Sequence, residues 1–192
     1  MSDAANQTDA RAGVRFVVTA AAIAAVLFGL YFFPYDKVGG SERWFTAYLE
    51  AYAHAVGFVL GAFERNIIVS GATIQGRFAM SIVKSCDAME ANILFCAATL
   101  AFPGLLWRRA VATVVGLAAL IAFNVFRLCC LYFVGANFRS AFDVAHMEVW
   151  PLLMVVFAVI DFVVCTRWVR GSSGEDGERG EGKLAVTGGA GT

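Results

Sequence analysis

Four stretches of the chain, 14–33, 88–107, 110–134 and 147–168, are apolar almost without interruption. Each is long enough to cross a bilayer, because a hydrocarbon core of about 30 Å needs only about 20 helical residues. Between the first two, 41–63 opens on the capping pair Ser41-Glu42 and sets Trp44, Tyr48, Tyr52, Val56 and Val59 near one helix face. Glu50 and His54 make it a poor span, so it reads as an interfacial or re-entrant helix, with a fifth span as the alternative. Segment 66–84 is rich in Ile, Val and Phe and is broken at Ser70-Gly71 and Gln75-Gly76, the pattern of a short hairpin. From Gly171 onward the chain is Gly-rich and mixed in charge, which predicts a disordered tail. The expected fold is an all-α integral membrane protein with about four transmembrane helices, an interfacial helix and a short outer-face β-hairpin. A single membrane domain, 14–168, holds the outer segment 34–87 and lies between a polar N-terminus, 1–13, and a tail, 169–192.

Composition strengthens this picture. In 192 residues, 59% hydrophobic and 16% charged, there is more apolar surface than one soluble core of this size hides. The lipid bilayer is therefore an expected partner. Net charge is zero and no basic block interleaves with aromatics, so a nucleic-acid partner has no electrostatic footprint. Arg11 and Arg15 precede the first stretch as they would in a signal peptide. That apolar run is too long, however, and no small-residue cleavage site follows at Phe32-Phe33-Pro34, so it reads as an uncleaved anchor.

Orientation rests on the one short loop, Trp107-Arg108-Arg109, which has two arginines and no acid and is therefore expected in the cytoplasm. Arg11, Arg15, Arg167 and Arg170 then fall on the same side, and both 34–87 and 135–146 lie outside. Lys37, Arg43, Arg65, Arg77 and Lys84 in the outer segment break the rule, but long loops translocate largely regardless of charge. Both termini are then expected inside.

Four of the five cysteines, Cys96, Cys129, Cys130 and Cys165, fall inside expected spans, where a thiol behaves as a small hydrophobe. Cys86 stands instead at the outer mouth of the second span, where free backbone N–H groups and the helix dipole favour a thiolate. A disulfide to Cys129 or Cys130 is the alternative use of this sulfur. Arg127 lies seven residues before the outer end of the third span, a depth at which a charge costs about 2.5–3.5 kcal/mol. Snorkelling to headgroups would offset part of that cost. Asn124, three residues earlier on the same face, points instead to a polar bundle interior.

Glu90, four residues after Cys86, is placed to share the thiol's face and pair with Arg127. His146 sits where the fourth span meets the outer surface, level with Cys86, whereas His54 has no such company. A lone interfacial histidine is usually a solvated surface residue. A thiol, an arginine and a histidine converging from three spans are instead a nucleophile, a charge stabiliser and a proton carrier, the set that covalent acyl transfer needs. The chain has no H-E-x-x-H, G-x-S-x-G, phosphate loop or C-x-x-C, so no metal or cofactor is expected. Small-residue spacings Ala112-x-x-x-Gly116 and Ala118-x-x-x-Ala122 allow close helix packing.

The segment SCDAMEANILFCAATLAFP, followed by NVFR at Asn124 to Arg127 and AHMEVWP around His146, resembles the core of the exosortases, nearest the compact exosortase H type. The likeness covers roughly 66–168, and it is the order and spacing of these short motifs that make it specific. It implies a membrane-embedded cysteine transpeptidase acting on exported proteins that end in a motif of the IPTLxxWG kind, a single membrane helix and a basic tail. By the same likeness Cys86 corresponds to the nucleophile, Arg127 to the essential arginine and His146 to the essential histidine. The chain departs from the pattern at Asp87-Ala88, where the family follows its cysteine with a small polar residue and a glycine. Two other readings of the same residues are a membrane thiol oxidoreductase using Cys86 with Cys129 or Cys130, and a non-catalytic assembly subunit held by a Glu90–Arg127 ion pair.

Overall fold

The apolar stretches become a helical bundle capped at one end by a small sheet in a computed structural model that describes residues 2–33, 42–83, 86 and 88–187. The helices are α1 (Ser2–Tyr31), α2 (Glu42–Gly61), α3 (Met89–Ala101), α4 (Leu106–Asn137), α5 (Arg139–Val144) and α6 (Trp150–Thr187), with a π-turn, Ala145–Val149, joining the last two. Among the described residues three helical stretches are long and apolar enough to cross a membrane: Ala10–Tyr31, Leu106–Asn137 and the continuous Arg139–Gly171. Ser41 of the capping pair and Asp87 lie outside the described residues, as does the side chain of Trp44.

The second expected span is corrected. Helix α3 has 13 residues and about 20 Å of rise, so helix alone does not cover the expected 88–107. Pro103 and Gly104 interrupt the apolar run, and Phe102 and Leu105 are extended, with ψ of 138° and 133°. The connection is therefore 102–105 rather than 107–109, and Arg108 and Arg109 join the first turn of α4. From there Arg109 donates to the carbonyls of Leu100 (2.7 Å) and Phe102 (3.3 Å), satisfying acceptors that the end of α3 leaves open.

The loop expected over 135–146 is corrected as well. It contracts to a corner at Phe138 (φ −137°, ψ 65°), after which helix resumes at Arg139, so His146 lies within a helix rather than at its mouth. Helical backbone also continues through Thr187, where composition predicts a disordered tail. Extending an existing helix needs no new nucleus, which lets poor helix formers follow.

Two apolar cores stack along the bundle. In the first, Tyr52, Ala53, Val56 and Leu60 of α2 meet Ile74, Met80 and Ile82 of the sheet region and Leu128, Leu131 and Tyr132 of α4. Helix α2 thus packs on protein along the face expected for it, although Val59 remains 36% exposed. In the second core, Phe95 and Phe102 meet Ala112 and Leu120 of α4 and Cys165 and Val169 of α6. Gly116 belongs to this packing, since a Cβ there would overlap the Phe95 ring. Helix α1 runs along α3, its Phe16 packing edge-on against Phe102 just past the end of α3, and otherwise presents Val14, Val17, Val18 and Val26 outward. A surface so apolar is what a bilayer covers.

The expected hairpin gains a third strand. Strands β1 (Ile68–Ser70), β2 (Thr73–Gln75) and β3 (Met80–Ser81) pair antiparallel in the order β1-β2-β3. Ser70 pairs with Thr73 around a two-residue turn whose first residue, Gly71, has φ 57°, a conformation tight hairpins give to glycine. The sheet is tied to α4 by Tyr132, whose hydroxyl donates to Glu64 Oε2 (3.0 Å) and accepts from the Arg77 N–H (2.8 Å). Gly76 is required there, because any Cβ would strike the Tyr132 hydroxyl.

Candidate functional site

Where the first core opens toward the sheet, four of the residues singled out by the sequence converge. Cys86 is 6% exposed and lies five residues after β3, its N–H donating to the Val83 carbonyl (2.8 Å). It precedes α3 by three residues, with Ala88 between them in the left-handed conformation (φ 53°, ψ 20°). Asn124 of α4 is fully buried, and its Nδ2 donates to the Cys86 carbonyl (3.1 Å). The asparagine thus holds the backbone of the cysteine rather than its sulfur. His146 brings its Nε2 to 3.9 Å from the Cys86 sulfur, at the long end of thiol–imidazole distances. Its ring stacks on Phe142 one helical turn earlier (5.7 Å between centroids, 9° between planes).

Arg127, 5% exposed, lies within electrostatic reach of both Cys86 and His146. Three buried polar atoms of this group have no hydrogen-bond partner: Arg127 Nε, His146 Nδ1 and Asn124 Oδ1. Buried polar atoms are ordinarily paired, so these three leave hydrogen-bonding capacity next to the cysteine. Beside them is a cavity of about 250 Å³, bounded by Phe78, Met80, Leu128, Leu131 and Phe142, with Cys86 and His146 in its wall.

The π-turn explains how His146 reaches the thiol. Pro151 has no N–H to offer the Met147 carbonyl, and its ring crowds the turn before it. The chain responds with one widened turn, closed by the Trp150 N–H donating to the Ala145 carbonyl five residues back. Trp150 packs edge-on against Phe123 and Phe126 of α4, anchoring the turn.

Glu90 is not brought into the group. It is exposed, Arg127 is buried, and the two form no ion pair. The expectation assumed that 86 and 90 share a helix face, but helix begins only at Met89, and the left-handed residue at 88 turns the chain. His54 is exposed on α2, away from the group. The five cysteines are free, and Cys86 shares its core with Cys129. Among the described residues no three His, Cys, Asp or Glu side chains gather around one point that could hold a metal ion.

Sequence reasoning passed over two features. One is the Glu64–Tyr132–Arg77 clasp, whose members are ordinary in isolation. The other is Asp161 on α6, whose Oδ1 accepts from the Cys165 thiol (3.7 Å) while Oδ2 is buried without a partner. An acid within an apolar stretch carries the same signal as Arg127, and that signal was there to find. No family model, curated protein or solved structure matches this chain.

Proposed function

We propose that this protein is a membrane-embedded cysteine transpeptidase of the exosortase kind, which cleaves the C-terminal sorting signal of exported proteins through an acyl-enzyme on Cys86. The observation that carries the reading is the approach of the Cys86 sulfur to His146 Nε2, 3.9 Å, beside a cavity and within electrostatic reach of a buried arginine. That is the constellation of nucleophile, proton carrier and charge stabiliser that acyl transfer uses.

In the proposed reaction His146 Nε2 takes the thiol proton, and the sulfur attacks the scissile carbonyl, forming a C–S bond and an oxyanion. Arg127, with an unpartnered Nε–H, stabilises that oxyanion. The intermediate collapses as the C–N bond breaks, and His146 returns the proton to the leaving amine. A second nucleophile then resolves the thioester. Asn124 acts as a positioning residue, since it fixes the Cys86 backbone. The substrate's own membrane helix would hold its motif near the thiol and convert an encounter between molecules into one within a complex.

The topology that goes with this reading has four membrane elements, α3 being the short one, with the sheet and Cys86 at the periplasmic rim of a bacterial inner membrane. Co-expression with an exported protein bearing an IPTLxxWG motif, an apolar helix and a basic tail tests the whole. Its C-terminal shortening is expected with the wild type and not with Cys86→Ala, and equal shortening by both would remove the proposal.

A further inference from the structure

Strand β3 is an edge of the sheet, and residues 78–81, which contain it, line the cavity next to Cys86. Along an antiparallel strand the backbone groups of successive residues point alternately to one neighbour and to the other. Met80 is registered with Ile74, and the Ile82 N–H donates to the Ala72 carbonyl (2.8 Å), so Met80 and Ile82 direct their backbone groups at β2. Ser81 between them therefore turns its N–H and C=O to the open side. The side chains alternate too: Met80 and Ile82 are buried, and Ser81 is exposed with its hydroxyl 2.8 Å from that of Thr73. Among the described residues no strand pairs with this edge, which borders an apolar cavity that has a thiol and an imidazole in its wall.

An engineered apolar cavity of about 150 Å³ accepts a benzene ring. The 250 Å³ here therefore takes one large apolar side chain. An open cavity bordered by a free edge fits an extended peptide, which pairs its backbone with the edge and buries every second side chain. We infer that the polypeptide substrate binds as a fourth strand on β3, its backbone paired to Ser81, with one apolar side chain seated between Met80, Leu131 and Phe142. That places the neighbouring peptide bond at Cys86 and assigns Ser81 as a positioning residue through its main chain. The inference rests on the acyl-transfer reading above and adds how the substrate is held.

Proline at an edge strand is tolerated where the lost N–H faces away from the ladder, so Ser81→Pro removes the outward donor and leaves the sheet's own bonds in place. The probe is a synthetic substrate of IPTLxxWG motif, apolar helix and lysine tail in liposomes with the full-length protein. With Ser81→Pro it is expected to be shortened about fivefold more slowly, the weight of roughly one net hydrogen bond. Alkylation of Cys86 by iodoacetamide should proceed at the same rate in Ser81→Pro and in the wild type. A second arm leaves the protein unaltered: N-methylating the probe's motif one residue at a time should block processing at alternate positions. Wild-type rates for Ser81→Pro, or N-methyl effects without alternation, overturn the strand pairing while the transpeptidase reading stands. Equal treatment of the probe by wild type and Cys86→Ala, including no shortening by either, removes that reading and this inference with it.

Discussion

Ala88 is the one described non-glycine residue with positive φ, and it sits two positions after the candidate nucleophile. A Cβ in that conformation costs about 1–3 kcal/mol, and glycine avoids the cost while adding about 0.5–1 kcal/mol of chain entropy to be lost on folding. Ala88→Gly should therefore stabilise the protein by about 1 kcal/mol in denaturant titrations in detergent, and an unchanged midpoint would show that the turn is not strained. Tyr132→Phe deletes the hydroxyl shared by Glu64 and the Arg77 N–H, and should cost about 1–2 kcal/mol in the same titration. Cys86, Asn124, Arg127 and His146 were legible because each is chemically out of place in an apolar setting. Tyr132 was not, because a tyrosine near a membrane rim is ordinary and only the fold shows what its hydroxyl joins.

Elements were read well where apolar runs were long and poorly where proline stood inside them. The fourth span was expected over 147–168, with Pro151 inside it near its start. In the structure helix is already running from Arg139, and the proline is accommodated by a π-turn that carries His146. Pro103 was absorbed into a span that it in fact ends, together with Gly104. Both outcomes follow from the missing N–H, but choosing between a helix start, a widened turn and a stop depends on neighbours that a linear pattern does not contain. The turn also has a testable consequence. Pro151→Ala restores the donor and lets the segment relax to regular α-helix, shifting residues before it by one position, about 100° around the axis. His146 would then leave the thiol, and processing should fall by about a hundredfold while the unfolding midpoint holds or rises. Unchanged processing would mean that the π-turn does not position the imidazole.

At the scale of the whole molecule, the length of α4 sets the depth of the site. From Leu106, Asn124 lies about 27 Å and Arg127 about 31 Å along the helix. Hydrocarbon is about 30 Å thick, so with one boundary near Arg108 and Arg109 the other falls at the level of the candidate site. Arg127 then need not sit deep in lipid, because Asn137, not Val134, ends the helix and the sheet covers the part that projects. Its cost is set by protein burial and not by the bilayer centre, which favours a role in binding negative charge over a role in anchoring. If the arginine-bearing end is cytoplasmic, a cysteine at exposed Ser81 and another at exposed Gly171 must face opposite compartments. In a Cys86→Ala background, a membrane-impermeant maleimide added to intact spheroplasts should label Ser81→Cys at once and Gly171→Cys only after permeabilisation. The reverse pattern would put the thiol in the reducing cytosol, away from any exported substrate. The transpeptidase reading would then be lost, although every distance in the site would be unchanged.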